Sequence, residues 1–443
     1  MNVELLKAKI LDLAIHGKLV PQLDSEPAVE QIGDVPDEIP FEIPEKWKWL
    51  YLKHIATVKG GKRIPKGQKL TDIDTGHKYI RVADMKNGSI NEETIKYIDD
   101  STYSVIRNYT ISSKDLYITV AGTIGKVGEI PQSLEGANLT ENADKLIISD
   151  LSLKKLLLIF LNSIELQNQI AQATTKVGQP KLAIKKIEQL KIPLPPIEEQ
   201  HRIVAKINEL FSILDAIDAK QKSLEEKLKL IKIKALDLAI HGKLVPQLDS
   251  EPAVEQIGEA PDEIPFEIPE KWKWTQLIEL GKLSTGTTPK TSNKDFYGKD
   301  VPFVKPNDIT SEGKLQHPSE GLSLLGITKA RTVGPKSIIM VCIGTIGKTA
   351  ITEKLIAFNQ QINAIEPDCE ILNPYFLHNV FLSLYFQNTC LTASTATTIA
   401  ILNKKKWGSL FVPLPPLEEQ QRIVAKINEI FAFCDRAMEL LQK

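Results

Sequence analysis

Residues 11–49 of this 443-residue chain recur as residues 236–274 with 37 of 39 positions identical, Asp34/Glu259 and Val35/Ala260 being the exceptions. A second stretch, residues 192–211, recurs as 412–431 with 16 of 20 positions identical. Between the repeats lie two long segments that share only landmarks, such as the turns Gly122-Thr-Ile-Gly-Lys126 and Gly344-Thr-Ile-Gly-Lys348. A chain written this way builds one frame twice around two different inserts. Its length, about three times the ~150-residue domain prior, leaves room for two inserts that each bury a core.

The repeated frame has the rhythm of helices. From Ile203, apolar residues fall at alternating steps of four and three through Ile207, Leu210, Leu214 and Ile217, pass Gln221, and continue through Leu224, Leu228, Ile231, Ala235 and Leu238. That is a heptad seam. Pro195 and Pro196 with Glu198 and Glu199 suit a first helical turn, and His241 and Gly242 a last turn with its left-handed cap. The same seam appears as Ile423, Ile427, Ile430, Cys434, Ala437 and Leu441, and as Val3, Leu6, Ile10 and Leu13. The C-terminal copy stops at Lys443 near where the N-terminal copy, from Met1, takes over. Together they are expected to rebuild the central helix, so that the chain reads as a circle of two halves with internal pseudo-two-fold symmetry. Antiparallel pairing then places Ile203 near Leu13 and Ile231 near Ile430.

The formal charge of −1 hides a division. Residues 50–191 hold 21 Lys/Arg against 15 Asp/Glu, and residues 275–411 hold 14 against 10. The repeated segments 21–49 and 246–274 each hold 8 acids and 2 lysines, which masks two basic inserts and leaves an anionic partner plausible on electrostatic grounds. The longest apolar stretches, 156–161 and 337–343, fall far short of the ~18 to 20 residues a membrane span needs. The N-terminus lacks the pattern of a secretion signal, so a cytoplasmic location without membrane contact is expected. Cys342, Cys369, Cys390 and Cys434 have no metal-site spacing and read as reduced structural thiols.

Within the inserts, residues 78–82, 116–120, 145–149, 301–305 and 338–343 have the composition of strands. Residues 151–173 and 373–390 read as helices. The turn ending in Lys348-Thr349 lacks the first glycine of a phosphate loop, since Cys342 stands there, and reads as a tight turn between strands. Asn373-Pro374-Tyr375 lacks the second proline of the amino-methyltransferase motif and reads as a helix entry. No HxxxH, GxSxG or nuclease carboxylate cluster is present, so no catalytic residue, metal ligand or cofactor is assigned to this chain.

The paired LDLAIHGKLVPQ segments, the paired PLPP[IL]EEQ[HQ]RIVAKIN segments, the paired PFEIPEKWKW entries and the GTIGK turns together resemble the DNA-specificity subunit of type I restriction-modification systems, over essentially the whole chain. The resemblance implies an α+β protein in which two mixed α/β target-recognition domains are separated by an antiparallel coiled-coil spacer. Residues 1–20 and 416–443 would form the two halves of the second spacer helix, and 196–242 the central one. Residues 21–195 and 243–415 would be the two recognition domains, each with its acidic entry segment. It further implies a non-catalytic subunit that reads an asymmetric, bipartite site in double-stranded DNA. Its partners would be two methyltransferase subunits and two restriction/translocase subunits, which would use S-adenosylmethionine, ATP and Mg.

Two basic domains on a coiled coil suit two half-sites at a fixed spacing. A free-standing methyltransferase or nuclease with its own recognition domains is the alternative, opposed by the missing motifs; a purely structural scaffold leaves the divergent inserts unexplained. Base edges in the major groove are read by donors and acceptors such as Arg, Lys, Asn and Gln. Candidates for DNA contact are Lys62, Arg63, Lys66, Arg81 and Lys86 in the first insert. In the second they are Thr287, Thr288, Lys290, Lys305 and Asn307.

Overall fold

The computed structural model describes residues 2–175, 180–395 and 400–442 and divides into two compact units, residues 1–220 and 221–443. Met1 and Lys443, where the two partial helix copies begin and stop, lie outside the described residues.

The first unit contains α1 (Val3–Ile15), β1 (Lys48–Tyr51), β2 (Ala56–Gly60), β3 (Lys78–Ile80), β4 (Met85–Lys86), β5 (Ser89–Ile90) and β6 (Lys96–Tyr97). It continues through α2 (Asp100–Ile106), β7 (Leu116–Thr119), β8 (Val127–Glu129), β9 (Asn138–Leu139) and β10 (Ala143–Ile148). α3 (Lys154–Leu161), α4 (Ile164–Ala173), α5 (Ile184–Glu188), β11 (Lys191–Leu194) and the first part of α6 (Ile197–Ile240) complete it. An antiparallel sheet has the order β2-β10-β7-β8, and a smaller one the order β6-β3-β9, with β3 and β9 parallel.

Strand β7 shows why its sequence is apolar without alternation. Leu116 and Ile118 enter a core with Leu156, Leu157 and Phe160 of α3, while Tyr117 enters a second core with Ile80 and Leu139. Successive side chains point to opposite faces, so a strand covered on both faces shows no polar alternation; its one polar residue, Thr119, is buried with its hydroxyl donating to Thr123 O. Each large side chain so buried contributes roughly 1.5–3 kcal/mol of transfer free energy.

The single helix expected over 151–173 is two helices. Ser163 is fully buried; its Oγ donates to the Phe160 carbonyl (2.6 Å) and accepts from Leu166 N (3.4 Å), ending α3 and capping α4. A serine that meets backbone groups on both sides competes with the helical ladder and starts a new turn.

The acidic entry segment has no helix or strand before β1 begins at Lys48, yet it is fastened. Lys46 Nζ donates to the carbonyls of Leu23 (2.7 Å), Asp24 (3.0 Å) and Glu26 (2.7 Å). Arg202 near the start of α6 pairs with the buried Glu26 carboxylate at 2.7 Å. The Pro196 carbonyl accepts the first helical bond of α6, from Gln200 N at 2.9 Å, so the two prolines precede the helix instead of occupying its first turn.

α1 runs antiparallel to the first part of α6. Lys7 Nζ meets Asp215 at 2.5 Å and lies 5.4 Å from the Phe211 ring, while Ala14 and Ile15 share a core with Ile203 and Ile207. The seam drifts at the end of α1: Leu13, expected beside Ile203, is 42% exposed, and Ala14 and Ile15 are buried in its place. α1 packs on α3 and α4 as well as on α6, and a second neighbour rotates and widens the buried face of a two-helix seam.

The second unit repeats this plan. After the remainder of α6 it contains β12 (Lys273–Gln276), β13 (Gly281–Thr285), β14 (Tyr297–Val304), β15 (Gly321–Leu322), α7 (Leu324–Ile327), β16 (Thr332–Val333), β17 (Ile338–Val341) and β18 (Thr349–Ile351). β19 (Ile356–Phe358), β20 (Ile362–Pro367), α8 (Pro374–Leu382), α9 (Leu384–Ala393), α10 (Lys404–Gly408), β21 (Phe411–Leu414) and α11 (Leu417–Gln442) follow. The sheet orders β13-β20-β17-β18 and β15-β14-β19-β16 correspond to those of the first unit, with one added edge strand. Ser383 breaks α8 from α9 as Ser163 does its counterparts, so the helix expected over 373–390 is also two. Asn373 caps α8 by accepting from Tyr375 N and Phe376 N, the helix entry read from the sequence.

The GTIGK turns join β7 to β8 and β17 to β18, with Gly122 and Gly344 at φ +78° and +82°. Gln167 and Gln387 each hold one by donating to Gly125 O and Gly347 O, both at 2.9 Å. Within the second unit α11 runs antiparallel to α6, with Lys232 on Asp435 at 2.5 Å and Gln221 donating to Leu441 O. Ile231, Leu238 and Ile430 border an apolar groove beside Phe433, which is 67% exposed. The 44 residues of α6 span about 66 Å at 1.5 Å per residue and fit a spacer helix.

Candidate nucleic-acid interface

In the first unit a backbone turn carries the candidate residues. Gly61 N donates to Ala143 O (3.1 Å) and Lys62 N to Leu139 O (2.8 Å), so the chain leaving β2 is fastened to both ends of the link between β9 and β10. A Cβ on Gly61 would stand 2.1 Å from the Thr140 carbonyl oxygen, which is why glycine occupies this point. The next side chains project from the turn. Arg63 Nε donates to Glu141 Oε1 at 2.5 Å, and the arginine side chain is 76% exposed. Lys62 Nζ lies 5.4 Å from the centroid of the Tyr109 ring, within cation–π range.

The second unit has the same turn with other side chains. Gly286 N donates to Ile362 O (3.0 Å) and Thr287 N to Phe358 O (3.0 Å), and a Cβ on Gly286 would meet Asn359 O at 2.1 Å. Thr288 Oγ1 donates to Gln360 Oε1 at 2.5 Å. Thr287 Oγ1 accepts from Arg331 N at 2.8 Å. Arg331 holds the place of Tyr109: the following residues, Thr332 and Thr110, pair with Ala357 and Asn138 at matching strand positions.

Electrostatics bind the first rim together. The hydrogen bond and charge of Glu141 raise the Arg63 guanidinium above its ordinary value. Burial on its own would raise the Glu141 carboxyl, but hydrogen bonds from Arg63, its own backbone and Thr140 hold it below the ordinary range. Beneath them Asp144 is 4% exposed, and burial, opposed by Lys181, pushes its carboxyl up to about 6. Gly60, Gly61, Lys62, Glu141, Asp144 and Lys181 line one cleft of about 740 Å³.

The other candidates distribute unevenly. Arg81 follows Ile80, whose carbonyl accepts from Thr140 N, and so lies beside this turn. Its guanidinium is engaged: Nε and Nη2 donate to the fully buried Asp84 (3.1 and 2.7 Å) and Nη2 to Thr94 O (2.6 Å). Lys305 holds the matching place after Val304 and pairs with Glu320. Lys66 and Lys290 are exposed on the loops that follow β2 and β13, and Asn307 is exposed in the single 3-10 turn Pro306–Asp308 that follows β14. Lys86 lies apart, on the β4–β5 hairpin, where Gly88 O accepts from Glu129 N of β8 at the opposite edge of the sheet from β2.

Tyr109, Glu141, Arg331 and Gln360 join these rims without having been singled out from the sequence. A signal existed. The spacing between matched residues changes from 225 at Gly61/Gly286 to 219 at Ala143/Ile362, and that shift aligns Glu141 with Gln360. Exposed forked donors beside fixed acceptors suit base edges and phosphates alike.

A family model described as "Type I restriction modification DNA specificity domain" matches residues 44–229 and 269–441. The EcoBI type I restriction enzyme specificity subunit of Escherichia coli is 24% identical, over 89% of this chain and 81% of that one. The HindI specificity subunit of Haemophilus influenzae is 32% identical over a shorter alignment, 37% of this chain and 36% of the relative's length. A solved structure described as showing complex assembly and conformational transition of the type I R-M system has the same fold. It superimposes with a TM-score of 0.68 at 20% identity, covering 91% of this chain and 94% of that chain.

Proposed function

The chain belongs to the type I restriction-modification DNA specificity family, and from that premise we propose that it selects an asymmetric, bipartite site in double-stranded DNA, each unit reading one half. The observation that carries this reading is the pair of glycine-anchored turns, built alike and furnished with different side chains. Like scaffolds with unlike rims suit two unlike half-sites. DNA contacts are assigned to Lys62, Arg63, Lys66, Arg81 and Lys86 for one half and to Thr287, Thr288, Lys290, Lys305 and Asn307 for the other.

The chain acts as the non-catalytic member of a larger enzyme, with two methyltransferase and two restriction/translocase subunits that supply S-adenosylmethionine, ATP and Mg chemistry. Docking of a partner needs exposed apolar surface, which the groove beside Phe433 offers. No described helix is long and apolar enough to cross a membrane, and the cytoplasm, where the DNA is, is the assigned place of work. The free-standing enzyme reading is not favoured, because the relatives are themselves named specificity subunits.

The test is methylation mapping in cells that express this chain with its methylating partners. A two-part, asymmetric motif is expected, and replacing residues 275–411 with the insert of another family member should change one part only. A palindromic motif, or changes in both parts, overturns the assignment.

A further inference from the structure

We propose that four side chains in each unit form its base-reading rim: Lys62, Arg63 and Tyr109 with Glu141 as the brace of Arg63 in the first, Thr287, Thr288, Arg331 and Gln360 in the second. The proposal rests on the reading of this chain as a DNA specificity subunit and goes further, to the residues and the bases. Three observations carry it.

The first is correspondence. Main-chain hydrogen bonds from Gly61 and Lys62 are reproduced by Gly286 and Thr287, and the Ile80–Thr140 bond by Val304–Asn359. The same backbone thus holds positions 62, 63, 109 and 141 in one unit and 287, 288, 331 and 360 in the other. All four differ in chemistry. The second is coupling. In each unit the turn side chain bonds the side chain across the link, Arg63 to Glu141 and Thr288 to Gln360, so two chain segments present one combined pattern of donors and acceptors. The third is availability. Arg63 uses Nε for Glu141, and among the described residues its two terminal nitrogens make no hydrogen bond. Arg81, by contrast, is engaged with Asp84 and Thr94.

Chemistry then assigns bases. A guanidinium braced through Nε presents a two-nitrogen fork, which matches O6 and N7 of guanine. Gln360 accepts from Thr288 with one lone pair of Oε1, keeping the other, and its amide nitrogen, for N6 and N7 of adenine. The half-site read by the first unit therefore contains a guanine set by Arg63. The half-site read by the second contains an adenine set by Gln360. Glu141 acts as a positioning residue for Arg63.

The experiment uses the full chain in complex with its methylating subunits, with motif mapping by methylation-sensitive sequencing and competition binding against single-base variants of the mapped site. Arg63→Ala should relax one guanine position in one half and lower affinity for the cognate site roughly 5- to 150-fold. Arg63→Lys, which keeps the charge but loses the fork, should relax the same position. Glu141→Gln should weaken discrimination at that position and no other. Gln360→Ala should relax one adenine position in the other half. Melting temperatures matching the parent show that the variants are folded. If the parent complex methylates no two-part site, the functional reading itself fails. If it does, and the motif is unchanged in Arg63→Lys, Arg63→Ala and Gln360→Ala, or affinity falls equally for every sequence, the base-reading rim is wrong.

Discussion

Asp144 lies directly opposite Gly60 in the antiparallel pairing of β10 with β2, with a carboxylate oxygen 3.4 Å from where a Cβ on that glycine would stand. At the matching position of the second unit Asn363 faces Thr285 and accepts a hydrogen bond from its hydroxyl at 2.8 Å. One scaffold thus holds an ionisable group in one copy and a neutral amide in the other.

The carboxyl, raised by burial to about 6, makes stability depend on pH. A group whose folded value exceeds its unfolded one, about 3.9, favours folding while protonated. That contribution is therefore lost as pH rises from about 4 through about 6. Asp144→Asn should stabilise the first unit at pH 7.5 by up to about 3 kcal/mol, two units at 1.36 kcal/mol each. The gain should shrink toward pH 4.5. Urea unfolding at the two pH values checks this, and an equal gain at both refutes it.

Gly61→Ala places a methyl carbon 2.1 Å from the Thr140 carbonyl oxygen, and Gly286→Ala does the same against Asn359. Backbone cannot give way as a flexible side chain does, so the turn must shift. Each substitution is expected to cost about 1–3 kcal/mol as overpacking and to lower affinity at its own half-site only. Thermal unfolding with half-site competition measures both effects; parental affinity in either variant contradicts the geometry.

Glu251 is buried and takes two bonds from Arg422, at 2.9 and 2.7 Å, while Lys271 donates to the carbonyls of Leu248, Asp249 and Glu251. Removing one member of a buried pair leaves the other partner's charge uncompensated. Glu251→Ala should destabilise the second unit by about 3–5 kcal/mol, less if water reaches the half-buried arginine. Glu26→Ala should do the same in the first unit through Arg202. A loss under about 0.5 kcal/mol in chemical denaturation, the scale of an ordinary surface substitution, would show that the clamp holds nothing.

Lys66 is exposed beyond the first rim, on the loop that follows β2. As a phosphate contact it adds affinity without sequence. Lys66→Ala is expected to weaken all targets alike and to lower the salt slope of binding by about one unit. A change in the mapped motif would make it a base reader instead.

The sequence carried the frame in full view, because identical repeats announce identical roles and a heptad seam survives any insert. It carried the strands as well, since β17 is apolar at every position and β7 at all but its last, Thr119. The helix breaks at Ser163 and Ser383 were hidden because a serine is tolerable within a helix until its hydroxyl is seen to meet backbone on both sides. The rims were half legible. Arg63 and Arg81 look alike in the sequence; burial of Asp84, three residues after Arg81, separates them, and burial is a property of the folded chain. Glu141 escaped notice because an acid is an unpromising DNA ligand until an arginine is found leaning on it.

The turns that carry the rims are fastened by main-chain groups: Gly61 and Lys62 donate through their amides, as do Gly286 and Thr287. The side chains of Lys62, Arg63, Thr287 and Thr288 take no part in those main-chain bonds; their own contacts are with Tyr109, Glu141, Arg331 N and Gln360. Replacement of those four side chains, unlike replacement of Gly61 or Gly286, therefore leaves the turn fastened, and a lineage can drift toward a new target one codon at a time without passing through misfolded intermediates. The two halves of one gene can drift separately. Novelty in what is recognised and robustness in what is folded are placed on different atoms of the same residues.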